Sequence, residues 1–555
     1  MNMKLIGGAV SVVLLAGWLL SWGCSGSSAV KADSGEANAA NNPAPAASGT
    51  QGDGAGASED AGGSQGVAES DGGDKSAAEA GDASSSSAGP EVFPVKPGNW
   101  PMWGGTPERN MINTREKNIP AEWDLTSKKN VKWVQKLGSQ TYGNVVVWNG
   151  KIFVGTNNGD RNPKIKGDKG VIMCFNESDG KFLWQVVHDK LEAGRVNDWP
   201  EQGICSSPAV QDGKLYYVSN RCQLVCADVE GFLDGENDGP YTDEQYKDSI
   251  DGDIIWIYDM IDELAVFPHN LATCSPVIVG DIVYVLTSNG VERDHITIPF
   301  VDSPSFIAVH KKSGELLWEN ADPGENILHG QWAGPSYVYA GGRGQVLFPG
   351  GDGWLRSFDP ETGDKFWEFD CNPKDSKWEL GGRGTRNNLI STAACVDGVV
   401  YIAVGQDPEH GEGVGHLYAI DASKGKGGEE ITKSGLIWHY GDKEFRRTIS
   451  SFAIADGLIY AADLSGFLHC LDQSTGRPHW IHDTFAAVWG SPTVIDGKVF
   501  LGDEDGDVVV LEHGKVKKVL AETNMEAAVY TTPVAVSGVL YITSRTHLYA
   551  IQNAN

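Results

Sequence analysis

The chain of 555 residues carries 74 acidic against 44 basic side chains, a formal charge of -30, and 70 glycines. One compact core does not scale to that length, since domains commonly run to about 100–200 residues, so a repetitive or closed architecture is expected. The acid excess argues against nucleic acid and anionic membrane surfaces, which require clustered Lys and Arg to displace counterions.

Residues 1–24 open with Met-Asn-Met-Lys, continue through a largely apolar run from Leu5 to Leu20, and end in Ser-Trp-Gly-Cys. The run falls short of the roughly 20 residues of a membrane span and reads as an export signal. Gly23-Cys24 resembles a bacterial lipoprotein cleavage box, which implies a lipidated Cys24 as mature N-terminus. Ser21 departs from the usual Leu, and simple secretion or an uncleaved anchor are the alternatives. Residues 25–90 hold no Phe, Trp or Tyr and are rich in Ala, Gly, Ser and Asp. Such a stretch cannot bury enough apolar surface to offset its ordering entropy, so it is expected to be a disordered tether. The expected location is the periplasmic side of a bacterial envelope, with the membrane touched only through the anchor.

After an N-terminal lead-in segment, 91–130, one pattern returns through 131–555: apolar strand, two-residue turn, second strand, third strand, Gly turn, fourth strand with Trp. The turns after the first strands are Asn149-Gly150, Asp212-Gly213, Gly280-Asp281, a divergent copy at 341–345, Asp397-Gly398, Asp456-Gly457, Asp496-Gly497 and Ser537-Gly538. Apolar alternation at period two punctuated by such dipeptides signals hairpins. The eighth copy lacks its fourth strand, while an orphan one, Val131-Lys-Trp133-Val134, precedes the first copy. The expectation is an all-β, eight-bladed β-propeller of four-stranded antiparallel blades, closed by the N-terminal strand completing the last blade, which removes exposed edges. Trp133, Trp184, Trp256, Trp318, Trp367, Trp438 and Trp480 share one slot and are expected to dock between blades. Cys174, Cys226 and Cys470 share a small-residue slot with Ala419 and Ala550 and read as core.

The Asp-x-x-Thr-Gly-x-x-x-Trp repeats resemble those of the pyrroloquinoline quinone (PQQ)-like β-propeller superfamily, and Asn99-Trp100-Pro101-Met-Trp103-Gly-Gly resembles a stretch that precedes the propeller in some of its members. The resemblance implies one of two branches: quinoprotein alcohol dehydrogenases, or non-catalytic scaffolds such as the lipoprotein of the outer-membrane β-barrel assembly machine. Repeats of this kind specify a fold and say little of function.

With blade strands named A to D, the long B–C loops (157–169, 288–304, 406–415) and D–A connections (188–203, 257–272, 323–334, 371–388) lie on one face, where function is expected. Residues there that could point at the axis are His269, Asn270, Gln331, Trp332, Arg383, Arg386, Asn387 and Trp489, joined by Asp294, His295, Asp407, Glu409 and His410 from long loops. The mixture suits a small polar or anionic ligand or a protein partner, and equally a self-satisfied polar network. The propeller is expected to be monomeric.

Quinoproteins hold PQQ over Ca2+ beside a catalytic Asp. Asp407 and Glu409 are the catalytic candidates under that implication, although the adjacent-cysteine pair of many such enzymes is missing. Cys205, Cys222, Cys274 and Cys371 could form one or two disulfides in an oxidising compartment. Asp234, Glu236, Asp238 and Asp243, in the C–D connection of blade 2, resemble an oxygen-rich Ca2+ loop, or else form a solvated acidic loop. Motifs for covalent haem, zinc hydrolysis, a serine nucleophile elbow and a phosphate loop do not occur.

Overall fold

The computed structural model describes residue 93 and residues 95–158, 164–381, 384–405 and 413–554. The leader, Cys24 and the tether lie outside these residues, as do Arg383, Asp407, Glu409 and His410. The described chain forms eight sheets. Blade 1 is typical: Val146–Trp148, Lys151–Asn157, Lys169–Asn176 and Phe182–Asp189, each antiparallel to the next. In blade 8 the strands Val534–Val536, Val539–Thr543 and His547–Ile551 receive Val131–Lys136 as the fourth, with Val134 opposite Tyr549. Two blades gain a fifth strand. Ile112–Asn113 adds in parallel to the inner strand of blade 7, and Glu429–Glu430 adds to the outer strand of blade 4.

The A–B turns explain the dipeptide pattern. Asn149, Asp212, Asp397, Asp456, Asp496 and Ser537 all have positive φ, and so does the glycine that follows each. That is the type I′ signature, whose twist matches that of the flanking strands. The divergent fourth copy makes the turn with Gly341-Gly342, both at positive φ.

Blade contacts repeat around the ring. Each fourth-strand indole but one donates its Nε1–H to a carbonyl in the C–D connection of the next blade: Trp133 to Glu177, Trp184 to Val229, Trp256 to Lys311, Trp318 to Pro360, Trp438 to Gln473 and Trp480 to Gly514, at 2.9–3.3 Å. Trp367 bonds Gln345 inside its own blade instead. Across the C–D ladder these indoles face a small residue: Cys174, Cys226, Ala308, Ser357, Ala419, Cys470 or Ala550. The small slot is a packing requirement, since an indole fills the space a larger neighbour would take. The eight described cysteines are free thiols, seven of them buried, so the anticipated disulfides are not formed. Cys222 Sγ donates instead to Thr287 O at 3.1 Å.

A second belt runs nearer the axis, two residues before each inner strand. The backbone N–H of one blade donates to a side-chain oxygen of the next: Asn144 to Ser207, Ser207 to Ser275, Gly334 to Thr392, Ser451 to Ser491, Ser491 to Thr532, and Thr532 back to Asn144, at 2.7–3.2 Å. The Ser-Pro and Thr-Pro dipeptides that open blades are therefore inter-blade acceptors.

Residues 99–113 of the lead-in segment wind round the axis and meet the inner strands of the blades in turn. Trp100 exchanges two backbone bonds with Val147 of blade 1. Val210, Tyr337, Cys395 and Val494, in the inner strands of blades 2, 4, 5 and 7, donate to the carbonyls of Pro101, Pro107, Glu108 and Met111 at 2.7–3.0 Å. Ile454 N–H of blade 6 donates to Asn110 Oδ1, and Asn113 Nδ2 donates to Ala535 O of blade 8. Blade 3 is reached by Arg109, fully buried, whose guanidinium donates to Ser275 O (2.7 Å), Pro276 O (2.9 Å), Trp103 O (2.6 Å) and Pro335 O (3.3 Å). Burial pushes its pKa down to about 10.

Gly363 has φ of +73°, and a Cβ there would stand 2.6 Å from the Trp318 ring. Gly457, with φ of +76°, has nothing within 4 Å. Gly457→Ala is expected to cost about 1–2 kcal/mol, from left-handed backbone alone, and Gly363→Ala at least about 1 kcal/mol more, by chemical denaturation. Arg109→Met strands four carbonyls and is expected to destabilise by about 3–5 kcal/mol on the same measurement.

Candidate functional site

The lead-in segment occupies the axis at the level of the inner strands, below the connections of the loop-rich face. Four residues before each inner strand, every blade contributes one half-buried side chain: Tyr142, Cys205, Thr273, Trp332, Ile390, Ile449, Trp489 and Tyr530. The residues on either side of each are buried. The shared register lies two residues before the belt, on the connection that enters each blade from the loop-rich face. The ring is mainly aromatic and aliphatic. Tyr142 and Tyr530 stack at 4.8 Å between centroids, and Trp489 packs edge-on to Tyr530 at 5.7 Å.

Glu504, in the B–C turn of blade 7, is hydrogen-bonded by this aromatic group. Burial pushes its carboxyl above the ordinary range, against hydrogen bonds from Trp489 and Tyr530. Burial likewise pushes Tyr530 up to about 12 and Tyr142 higher still, so both phenols stay protonated and can donate.

The residues singled out in the sequence divide. Trp332 and Trp489 stand in the ring. Gln331 is 1% exposed and serves as a brace: its amide donates to Asn289 O and Ser305 Oγ and accepts from Gly351 N–H. Asn387 is buried, its N–H given to Asn372 Oδ1. Asn270 adopts φ of 62° and ties two neighbouring connections by its backbone, through Val196 O and Trp199 N–H. Arg386 is half-buried and donates its backbone N–H to Lys377 O. His269 is fully buried and lies against His295, His329 and Trp332.

The acidic loop of blade 2 does not gather its carboxylates. Asp234 accepts from Glu236 N–H, Asp238 lies 3.5 Å from Lys214 Nζ while its N–H is held by Asp253, and Asp243 faces a lateral cleft with His188, Arg221 and Tyr241. Among the described residues only His269, His295 and His329 bring three metal-ligating atoms together. The carboxylate of Glu504 is held by Trp489 and Tyr530. Asp407 and Glu409, the acids expected beside a quinone and Ca2+, lie outside the described residues.

Tyr142, Tyr530, Glu504, His329 and Arg109 were not singled out from the sequence. For Tyr530 a signal existed. In five blades a proline precedes the inner strand, and the ring residue stands three before it, as Tyr530 does before Pro533.

The sequence model of the family described as outer membrane protein assembly factor BamB matches residues 130–347 and 428–555. An outer membrane protein assembly factor BamB of Yersinia pestis is 21% identical over 379 residues, 68% of this chain and 78% of the relative. Quinohemoprotein alcohol dehydrogenase ADH-IIG of Pseudomonas putida is 31% identical over 133 residues, which span 21% of this chain and 17% of that one. A europium-containing methanol dehydrogenase shares the fold with a TM-score of 0.53 at 14% identity, over 80% of this chain and 89% of that one.

Proposed function

The chain belongs to the family of PQQ-like propellers described as outer membrane protein assembly factor BamB, and from that premise we propose that it is a binding scaffold for protein partners in outer-membrane protein assembly, engaging them through its loop-rich face. The observation that carries this reading is the ring of eight half-buried residues, one per blade, above an axis occupied by the lead-in segment. A rigid rim of aromatic and aliphatic side chains without a gathered set of catalytic acids among the described residues suits protein binding, where buried Trp and Tyr anchors contribute most of the affinity. The Tyr142 phenol, which burial keeps protonated, supplies a donor to an incoming backbone. The apolar leader, Cys24 and the 25–90 tether add export to the periplasm, an anchor and reach. Among the described residues no helix is long and apolar enough to cross a membrane.

The second reading is a quinone-dependent oxidoreductase, favoured by the 31% identical segment shared with the alcohol dehydrogenase and by stacking surface at the mouth. Asp407, Glu409 and Arg386 would then serve the quinone and Ca2+.

One pair of experiments separates the two. A photocrosslinking residue in place of Ile449, in the full chain within its native envelope, is expected to capture an outer-membrane assembly component; one in place of Ser537, on the tight-turn face, is not. Trp489→Ala is expected to weaken that complex by about 2 kcal/mol with the fold retained. Saturable, Ca2+-dependent binding of PQQ, abolished in Asp407→Ala, would replace the scaffold reading with the oxidoreductase.

A further inference from the structure

His269, His295 and His329 come from three separate connections of the loop-rich face: the segment entering blade 3, the B–C loop of blade 3, and the segment entering blade 4. Their ring centroids stand 4.3–4.9 Å apart. One nitrogen from each ring lies within 4.8 Å of the other two. We propose that these three imidazoles bind a divalent transition-metal ion of the zinc class at the rim of the axial mouth, leaving a fourth position open to water or an incoming ligand.

The surroundings are those of a built site. The Val291 carbonyl lies 2.5 Å from His269 Nδ1 and can only accept, so Nδ1 carries the proton and Nε2 carries the lone pair. Fixing a ligand tautomer through a backbone carbonyl is the usual outer-shell device of metal-binding histidines. The same residue holds the second ligand's backbone, since Val291 N–H donates to His329 O at 3.0 Å. Between the two stands Gly290, where a Cβ would meet His269 Cβ and His329 O at 2.7 Å each. Trp332 donates its indole N–H to His269 O and packs edge-on to His329 at 5.0 Å, forming an apolar wall. His269 and His329 are 0% and 1% exposed, whereas His295 is half-buried and marks the open side.

Drawing three nitrogens from this spacing onto one ion at about 2.0–2.1 Å takes side-chain rotation, which His295 on its loop can supply. An all-nitrogen donor set selects Zn2+, Co2+ or Cu2+ over Ca2+, which requires oxygen. Three protein ligands plus an open position is the arrangement of reactive rather than closed structural zinc. The net charge of -30 favours cation uptake. Trp332 belongs to both this cluster and the ring, so an ion held here would sit where a bound ligand could reach it. The inference does not depend on the scaffold reading.

The test is titration of chelator-treated full-length protein with Zn2+ and Co2+. One equivalent should bind, Co2+ should give visible bands of a four- or five-coordinate nitrogen and oxygen site without thiolate charge transfer, and excess Ca2+ should not compete. His295→Ala should lower affinity by at least about 100-fold while the melting temperature of the metal-free protein stays unchanged. His329→Gln should do the same, and if it fails to fold, His295→Ala decides. Absence of binding, equal affinity in His295→Ala, or a thiolate band assigning the ion to cysteine would each overturn the proposal.

Discussion

Eight inner strands converge on one axis, and each presents there a sheet edge whose backbone groups need partners. An unpaired buried N–H or C=O costs about as much as a lost hydrogen bond, so the axis must be filled by water or by chain. Here it is filled by the lead-in segment between Asn99 and Asn113, which gives every blade at least one bond. Seven blades are met by backbone or short amide side chains. Blade 3 is met by the Arg109 guanidinium, whose reach and five donors serve several carbonyls at once. The arrangement turns eight separate edges into one hub.

Outside the hub the blades are held by two repeated contacts of different character. The outer one sets each indole of the fourth strand on the turn of the next blade, where a positive-φ glycine such as Gly180, Gly314, Gly363 or Gly476 leaves room for the ring. The inner one is the belt of side-chain acceptors Ser207, Ser275, Thr392, Ser491, Thr532 and Asn144, which links six of the eight blade junctions. Two positions before this register every blade carries one half-buried residue between buried neighbours. A repeating surface thus accompanies a structural requirement, and its chemistry is set by eight side chains outside the belt.

Much of this is legible in the sequence because it is local and repeated. Turn dipeptides, Ser-Pro and Thr-Pro openings, the tryptophan slot and the small slot facing it each recur, and each recurrence reflects the same constraint. The axial place of residues 99–113 is not legible, since their bonds to the blades come one residue at a time and leave no period. The histidine triad is only partly visible: His269 and His295 are marked by position, yet nothing in their spacing joins them to each other or to His329, which only the tertiary structure brings near. The polar residues expected at the axis are mostly braces, as Gln331 and Asn387 show, because loops on a propeller face must satisfy their own backbone first. Acids spaced like a calcium loop at 234–243 serve turns and Lys214, since spacing in sequence does not make carboxylates converge.

A hub filled by the chain's own lead-in segment, a ring of blades locked by indoles and hydroxyls, and a furnished mouth on the loop-rich face therefore form one mechanical unit, in which residues 99–113 are integral. Hydrogen–deuterium exchange on the full chain tests this directly, by comparing peptides covering 99–113 with the inner strands. The amides of Trp100, Met111 and Ile112 are predicted to exchange as slowly as those of Val147, Val210 and Val494. Rapid exchange across 99–113 while the inner strands stay protected would contradict an integral hub.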